Sequence, residues 1–458
     1  MTRARRIHKI DFSMNAQQSS IASKSLWTMG TYAASASIRF GSNIVLSRLL
    51  GPEILGVVVL AQAIRTGSEL LTDLGLEQNV VRSPHGDEER FLNTVWTMQI
   101  LRGMLVSLAC LCLTPLFARF YHVDMVILMI VSAAPLLNSL VSTSIFTLSK
   151  RLDVKTRNMF ELVAETVGLV INVTLAFSLQ NVWAPVLAIP LSIAARSALT
   201  YLLPHPKHRF VLDRIHAPAI FNFSKWIMLS SLAFYAAVYV DRLFLGRVVT
   251  LGTLGIYGLA RAVADLPNTV AGRLAFQIVF PFVASHEDSF TAGSANRAEL
   301  ARARRNFLLL VLAGIATVMA SADWVVIILY GHRYAAAGWM LCILLVGGWI
   351  AVLSSLNEAT VFGRGKPQNV SLANVIRFFM MAAILPTGFA LWNLPGALLA
   401  LPASELTRYL VLMKAQRRLE TTFLVQDAIL SLGLLALFVW WITIRLAFGL
   451  GLPWSMIG

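Results

Sequence analysis

The sequence predicts an all-α polytopic membrane protein: two six-helix bundles related by a parallel pseudo-two-fold, plus about one extra C-terminal helix, about 12–14 spans in all. Three observations predict it. Of 458 residues, 57% are apolar and 13% charged, about half the charge of an ordinary soluble domain. The apolar residues gather in long runs that are apolar on every face, unlike the alternating strands of a barrel. The basic residues fall on alternate loops between those runs. A soluble enzyme and a secreted disulfide scaffold are excluded.

The runs, in order, are 26–49, 54–76, 95–118, 125–148, 160–179, 183–203, 226–246, 254–283, 306–329, 338–362, 369–391, 395–413 and 427–444. They divide the chain into an N-terminal tail (1–24), an N-lobe (25–203), an inter-lobe linker (204–225), a C-lobe (226–413) and a C-terminal extra span with its tail (414–458). The tail is polar, with Arg3, Arg5, Arg6 and Lys9. The run after it is too long for a signal peptide, so no cleavable signal is expected. Pro267 is expected to break the long eighth run.

With the N-terminus placed in the cytoplasm, 24 of the 38 Lys and Arg fall in cytoplasmic loops, four in external loops and ten, all Arg, inside spans. This is the positive-inside pattern. It accounts for the net charge of +15 without a nucleic-acid partner. Cys110, Cys112 and Cys342 lie inside apolar runs at no metal-ligand spacing, so no metal is expected.

The stretch LGVVVLAQAI (Leu55–Ile64) recurs as LGIYGLARAV (Leu254–Val263), identical at five of ten positions and offset by 199 residues. The offset predicts a duplicated six-helix unit whose copies share one orientation, an architecture of alternating-access transporters. A shared small-residue packing face is the other reading.

An arginine at mid-bilayer costs about 2.5–3.5 kcal/mol. Arg39 lies about 20 Å along its helix from the cytoplasmic end, and Arg65 about 16 Å from either end; both are too deep to snorkel. Arg102, Arg196 and Arg408 are shallower, and snorkelling is the expectation for them. Helical spacing puts Ser35, Arg39 and Asn43 on one stripe, and Arg65, Glu69 and Asp73 on another. These stripes line a wet cavity whose arginines hold an anion, or Arg65 and Glu69 form a structural ion pair. Arg in preference to Lys favours phosphate, because its fork binds two oxygens. Glu358 and Glu405 are candidates for ion pairing or for carrying a coupling H⁺ or Na⁺. No catalytic motif is present and the external loops are a few residues long, so no enzyme activity and no bound cofactor are expected.

The run LSRLLGPEILGVVVLAQAI followed by LLTDLGLEQNVVR resembles the opening of the polysaccharide transporter (Wzx-type) oligosaccharide flippase family, within the multidrug/oligosaccharidyl-lipid/polysaccharide superfamily. VYVDRLFLGRVV with LGIYGLARAVADLPNTV, FPFVAS and ILYGHRYAAAG resemble it too. The resemblance implies a multi-pass inner-membrane flippase of undecaprenyl-diphosphate-linked oligosaccharide, for exopolysaccharide, O-antigen or capsule export. It implies a diphosphate site on helices one, two and eight, which by helix position gives Arg39, Arg65 and either Arg261 or Arg273. It also implies work beside a polysaccharide polymerase or co-polymerase. A drug/cation antiporter of the same superfamily is the nearest alternative, and a membrane-embedded ligase or polymerase a more distant one.

Residues 149–159 and 284–305 are expected in the cytoplasm and 331–338 outside. In spheroplasts an impermeant thiol reagent should leave a cysteine at Ser294 unlabelled. Labelling from outside would refute the orientation.

Overall fold

Backbone amides in hydrocarbon have no water to bond, so a membrane chain must satisfy them within helices or closed sheets. The computed structural model takes the helical course, with no strand among the described residues, which are 30–31, 33–71, 74–151, 153–204, 207–213, 216–286 and 294–454. After α1 (33–49) come α2 (Pro52–Leu71), α3 (Leu76–Arg82), α4 (Glu89–Tyr121), α5 (Met125–Val131), α6 (Ala134–Ser139), α7 (Ser144–Lys150), α8 (Val154–Leu179), α9 (Trp183–Leu199) and α10 (His216–Val248). Then follow α11 (Leu251–Ala264), α12 (Leu266–Leu274), α13 (Phe280–Ser285), α14 (Ala295–Ala320), α15 (Ala322–Tyr330), α16 (Ala337–Gly363), α17 (Pro367–Arg418) and α18 (Leu424–Ala447). Polar side chains start several of them. Asp124 caps α5 through the Val126 amide at 2.9 Å, and Asp153 caps α8 through Thr156 at 3.2 Å. Ser294 caps α14 through Arg297 at 3.3 Å. Each supplies an acceptor to an amide that has no partner inside its helix.

The sequence predicts thirteen spans. Among the described residues, seven helices are long and apolar enough to cross a membrane, or eight if the bent pair Met125–Ser139 and Ser144–Lys150 is one span. Two predicted runs form the 52-residue α17, whose non-helical Trp392 and Asn393 (φ 53°) turn the chain back. A Cβ on Gly388 would overlap the Gly396 backbone, and one on Gly396 the Gly388 carbonyl, so the two limbs meet there with no room for a side chain. The predicted eighth run is divided into α11, α12, a π-turn over Ala275–Val279 and α13, with Pro267 in the first turn of α12 as expected.

The chain forms two compact units: Met1–Leu50 with Ala61–Leu232, and Gly51–Leu60 with Ala233–Gly458. In unit 2, α16 is the buried axis: 83% of its most apolar stretch is covered, against 11% for α8 and 22% for α4 in unit 1. Those open helices present Leu101, Leu105, Leu108, Leu116, Val163 and Val170 outward, the faces that lipid covers.

In unit 1 the span α5–α7 bends by 53°, and its freed carbonyls are met by side chains. Gln99 Nε2 donates to Ser139 O at 2.7 Å and Val141 O at 3.1 Å. The Ser142 amide donates to Thr200 Oγ1 at 2.8 Å, and Ser144 Oγ to Thr200 O at 3.1 Å. Residues 207–213 run extended along α4 by the same device. The amides of Arg209, Val211 and Asp213 donate to Asn93 Oδ1, Thr97 Oγ1 and Thr94 Oγ1 at 3.1, 3.0 and 3.2 Å. His208 stacks on Trp96 with ring centroids 5.0 Å apart. At these two breaks side chains stand in for water, Gln99 as a donor and Thr200, Asn93, Thr94 and Thr97 as acceptors.

The two copies of the repeated decapeptide meet each other in unit 2. A Cβ on Gly56 would overlap the Leu251 carbonyl, and a Cβ on Gly255 the Pro52 carbonyl. Gly255 follows Gly56, and Leu251 follows Pro52, by the same 199 residues that separate the copies. The crossing is therefore isologous, as a local two-fold requires. Gly56→Ala and Gly255→Ala should each destabilise the protein by about 1–3 kcal/mol, the usual cost of forcing atoms into a packed contact. Gly272→Ala, where a Cβ meets nothing within 4 Å, should change stability little. Thermal unfolding in detergent measures all three.

Candidate functional site

Unit 1 encloses a cavity of 440 Å³ among α1, α2, α8 and α9, lined by Arg39 and Asn43, Gln62 and Arg65, Glu161, Glu165 and Asn172, and Ser192 and Arg196. Helical periodicity builds each wall. Arg39 and Asn43 are one turn apart on α1, while Glu161, Glu165, Gly168 and Asn172 recur at three- and four-residue steps on α8. Arg39 bonds Glu165 at 2.6 Å, Arg65 bonds Glu69 at 3.1 Å and Arg196 bonds Glu161 at 2.8 Å. Three cations face two carboxylates on this lining, since Glu69 is not part of it. The arginines stay open: the side chains of Arg39, Arg65 and Arg196 are 48%, 26% and 36% exposed. An ion pair with that access to water is worth little and exchanges readily.

Unit 2 encloses a cavity of 330 Å³ whose first wall repeats that of unit 1. Ala237, Val238, Asp241 and Arg261 line it at the positions 199 residues beyond Ile38, Arg39, Ser42 and Gln62. The charged residues differ. Arg261 and Arg377 here face Asp241, Asp265 and Glu405, while Arg242 and Arg408 approach Asp265 and Glu405 at 3.9 and 3.5 Å from beside the lining. Arg261 bonds Asp265 at 3.0 Å and approaches Asp241 at 3.9 Å, and Arg377 holds Glu405 at 2.5 Å. Tyr257 donates to Asp241 from a fully buried position.

The sequence-predicted residues therefore separate. Arg39, Asn43 and Arg65 share the unit 1 cavity, and Arg261 lies in that of unit 2. Ser35 is buried and lines neither cavity, and Arg273 is exposed on α12 and lines neither. Glu69 pairs with Arg65, Glu405 with Arg377, and Glu358 with Arg408. Asp73 lies outside the described residues. The snorkelling expected of Arg196 and Arg408 is corrected. Arg196 lines the unit 1 cavity, and Arg408 is 8% exposed between Glu358 and Glu405. In both cases a carboxylate on a neighbouring helix holds the guanidinium instead of the interface. The sequence reading also missed Glu161, Glu165 and Arg377, although the polar stripe on α8 carried a helical signal for the first two. Among the described residues no three His, Cys, Asp or Glu are grouped to hold a metal ion.

Further arginines in unit 2 are closed off. Arg304 pairs with Asp427, both at most 2% exposed, and donates to Asn357 at 3.1 Å. Tyr409 donates to Asp427 at 2.9 Å. Arg445 holds both oxygens of Asp323 at 2.7 Å.

A family model described as "Polysaccharide biosynthesis protein" matches residues 45–338. The chain belongs to that family. It is 22% identical over 306 residues to the teichuronic acid biosynthesis protein TuaB of Bacillus subtilis (strain 168), covering 65% of this chain and 62% of that protein. It is 22% identical over 328 residues to the succinoglycan biosynthesis transport protein ExoT of Rhizobium meliloti (strain 1021), covering 68% and 63%. The matches thus span under two thirds of the length of either relative. Among solved structures, the inward closed lipid II flippase MurJ superposes with a TM-score of 0.73 at 12% identity, covering 91% of this chain and 92% of MurJ. An inward-facing multidrug resistance MATE family transporter of the MOP superfamily superposes at 0.65 and 13% identity, covering 84% and 94%. The fold is that of these multi-pass membrane proteins.

Exposure divides the arginines by consequence. Arg304→Ala strands Asp427 in the interior and should cost about 3–5 kcal/mol of stability. Arg39→Ala, at an open pair, should cost under about 1 kcal/mol. Unfolding midpoints in one detergent compare them; equal losses would contradict the division.

Proposed function

We propose that the protein is a flippase that carries an undecaprenyl-diphosphate-linked oligosaccharide from the cytoplasmic to the periplasmic leaflet of the inner membrane. The observation that carries this reading is the open unit 1 cavity. It gathers three arginines whose ion pairs stay open to water and surrounds them with amides and hydroxyls. A diphosphate needs bidentate cations, and its glycan needs hydroxyl and amide partners. The empty site is stable because Glu165, Glu69 and Glu161 hold the guanidiniums. The diphosphate exchanges for carboxylates that water already reaches, so binding avoids the cost of breaking a dry ion pair. The prenyl tail stays in lipid while the head group crosses.

The teichuronic acid and succinoglycan biosynthesis proteins, and the lipid II flippase of like fold, support this class of cargo. A periplasmic polymerase or co-polymerase would receive the product. The protein works without catalysis. The unit 2 cavity, lined by three carboxylates, would hold a coupling H⁺ or Na⁺ at Asp241, Asp265 or Glu405. Glu358, tied to Arg408, would be the structural member of that group. A multidrug antiporter of the same fold would need a cavity of acids and aromatics. Arg39, Arg65 and Arg196 in unit 1 favour an anion instead.

Arg39→Ala and Arg65→Ala should each weaken diphosphate binding by about 1.5–3 kcal/mol, the worth of a hydrogen bond to a charged group. Polymer export should fall while the amount of protein in the membrane holds. Arg39→Lys should also impair export, since a point charge replaces a fork. Full export from both alanine variants at normal expression would refute the assignment.

A further inference from the structure

Unit 1 contains a second cavity, of 300 Å³, lined by Glu77 of α3, Gln99 and Arg102 of α4, Asn138 of α6 and Arg157 of α8. Glu161 and Arg196 line this cavity and the first one alike. Their 2.8 Å ion pair is therefore a common wall between the two chambers. We propose that the second chamber is a saccharide subsite, which takes the sugar attached to the diphosphate while the diphosphate occupies the Arg39–Arg65 chamber. This inference rests on the flippase reading and assigns the part of the substrate that the first chamber does not.

The chemistry of the lining suits the hydroxyl groups of a sugar. Arg157 bonds Glu77 at 2.6 Å, Arg196 bonds Glu161 at 2.8 Å, and Arg102 donates to the Glu69 carbonyl at 3.0 Å. An arginine has five N–H donors and a carboxylate about four acceptor sites, so one ion pair leaves donors and acceptors side by side. A sugar hydroxyl both donates and accepts and fits such a mixed lining. Asn138 and Gln78 add amide groups, and Phe146, Ile145 and Val141 supply an apolar wall for the C–H face of a pyranose.

The position supports the same assignment. The chamber lies at the bend between α6 and α7, where Gln99, itself in the lining, repairs the Ser139 and Val141 carbonyls. A broken helix persists at membrane depth where it lines a polar cavity or is buried in protein, and transporters bind substrate at such breaks.

The test uses the full-length protein in detergent and two lipids: polyprenyl diphosphate alone, and the same lipid carrying one hexose. Asn138→Leu removes an amide from the half-buried lining. Gln78→Leu does so from an exposed residue, where folding is not at stake. Wild-type protein should bind the hexose lipid more tightly than the bare one. Each variant should lose about five- to tenfold in affinity for the hexose lipid, the worth of a neutral hydrogen bond or two, and stay within about twofold for the bare lipid. Equal wild-type affinity for both lipids, or equal losses for both in the variants, would overturn the saccharide subsite and leave the diphosphate reading standing. Wild-type protein that binds neither lipid would overturn both.

Discussion

A guanidinium withdrawn from water must be met by a carboxylate, and this requirement organises the molecule more than any other single interaction. It fixes unit 2 from end to end. Arg304 of α14 meets Asp427 of α18, Arg408 of α17 meets Glu358 of α16, and Arg445 of α18 meets Asp323 of α15. Helix α18, which a six-plus-six plan treats as an addition, is bound by two of these pairs. It belongs to unit 2 as firmly as the helices before it. Once each pair is formed, the face that each helix turns inward is decided, because rotation would leave a charge in the interior.

The same requirement, satisfied less completely, produces the candidate site. Arg304, Arg408 and Arg445 of unit 2 sit at 2–9% exposure beside their acids, whereas Arg39 and Arg196 of unit 1 remain 48% and 36% exposed. Closed pairs lock helices together. Open pairs keep a cation ready for an incoming anion and spare the empty site an unpaired charge. The duplicated cavities make the contrast plain, because matched wall positions carry Arg39, Ser42 and Gln62 in one copy and Val238, Asp241 and Arg261 in the other. A shared frame carries a different set of charged side chains in each copy.

The all-helical class, the repeat and the shared face of Arg39 and Asn43 were legible in the sequence, because run length and helical spacing are local signals. The partners were not. Glu165 lies 126 positions from Arg39 and Glu161 lies 35 from Arg196, and no local periodicity joins residues on different helices. Arg196 was misread for that reason, since snorkelling is the correct expectation for a shallow arginine with no acid nearby; Arg408 had Glu405 one turn away, but its second acid, Glu358, lies 50 positions off. Arg273 was chosen by helix number alone, and the π-turn and short helices of that region put it on an exposed face. The bend of α5–α7 also escaped, because no glycine or proline stands at 140–143 and the break is held open by Gln99 and Thr200.

The central claim is that this protein moves a polyprenyl-diphosphate-linked glycan across a bilayer through the unit 1 cavity. The most direct measurement reconstitutes purified protein in vesicles whose outer leaflet carries such a lipid. The fraction of its glycan shielded from an impermeant glycosidase is then followed with time. The account predicts that wild-type protein speeds the loss of accessible glycan well beyond the protein-free rate and that Arg39→Ala, reconstituted to the same density, does not. Wild-type vesicles that match protein-free vesicles, or Arg39→Ala vesicles that match wild type, would contradict it.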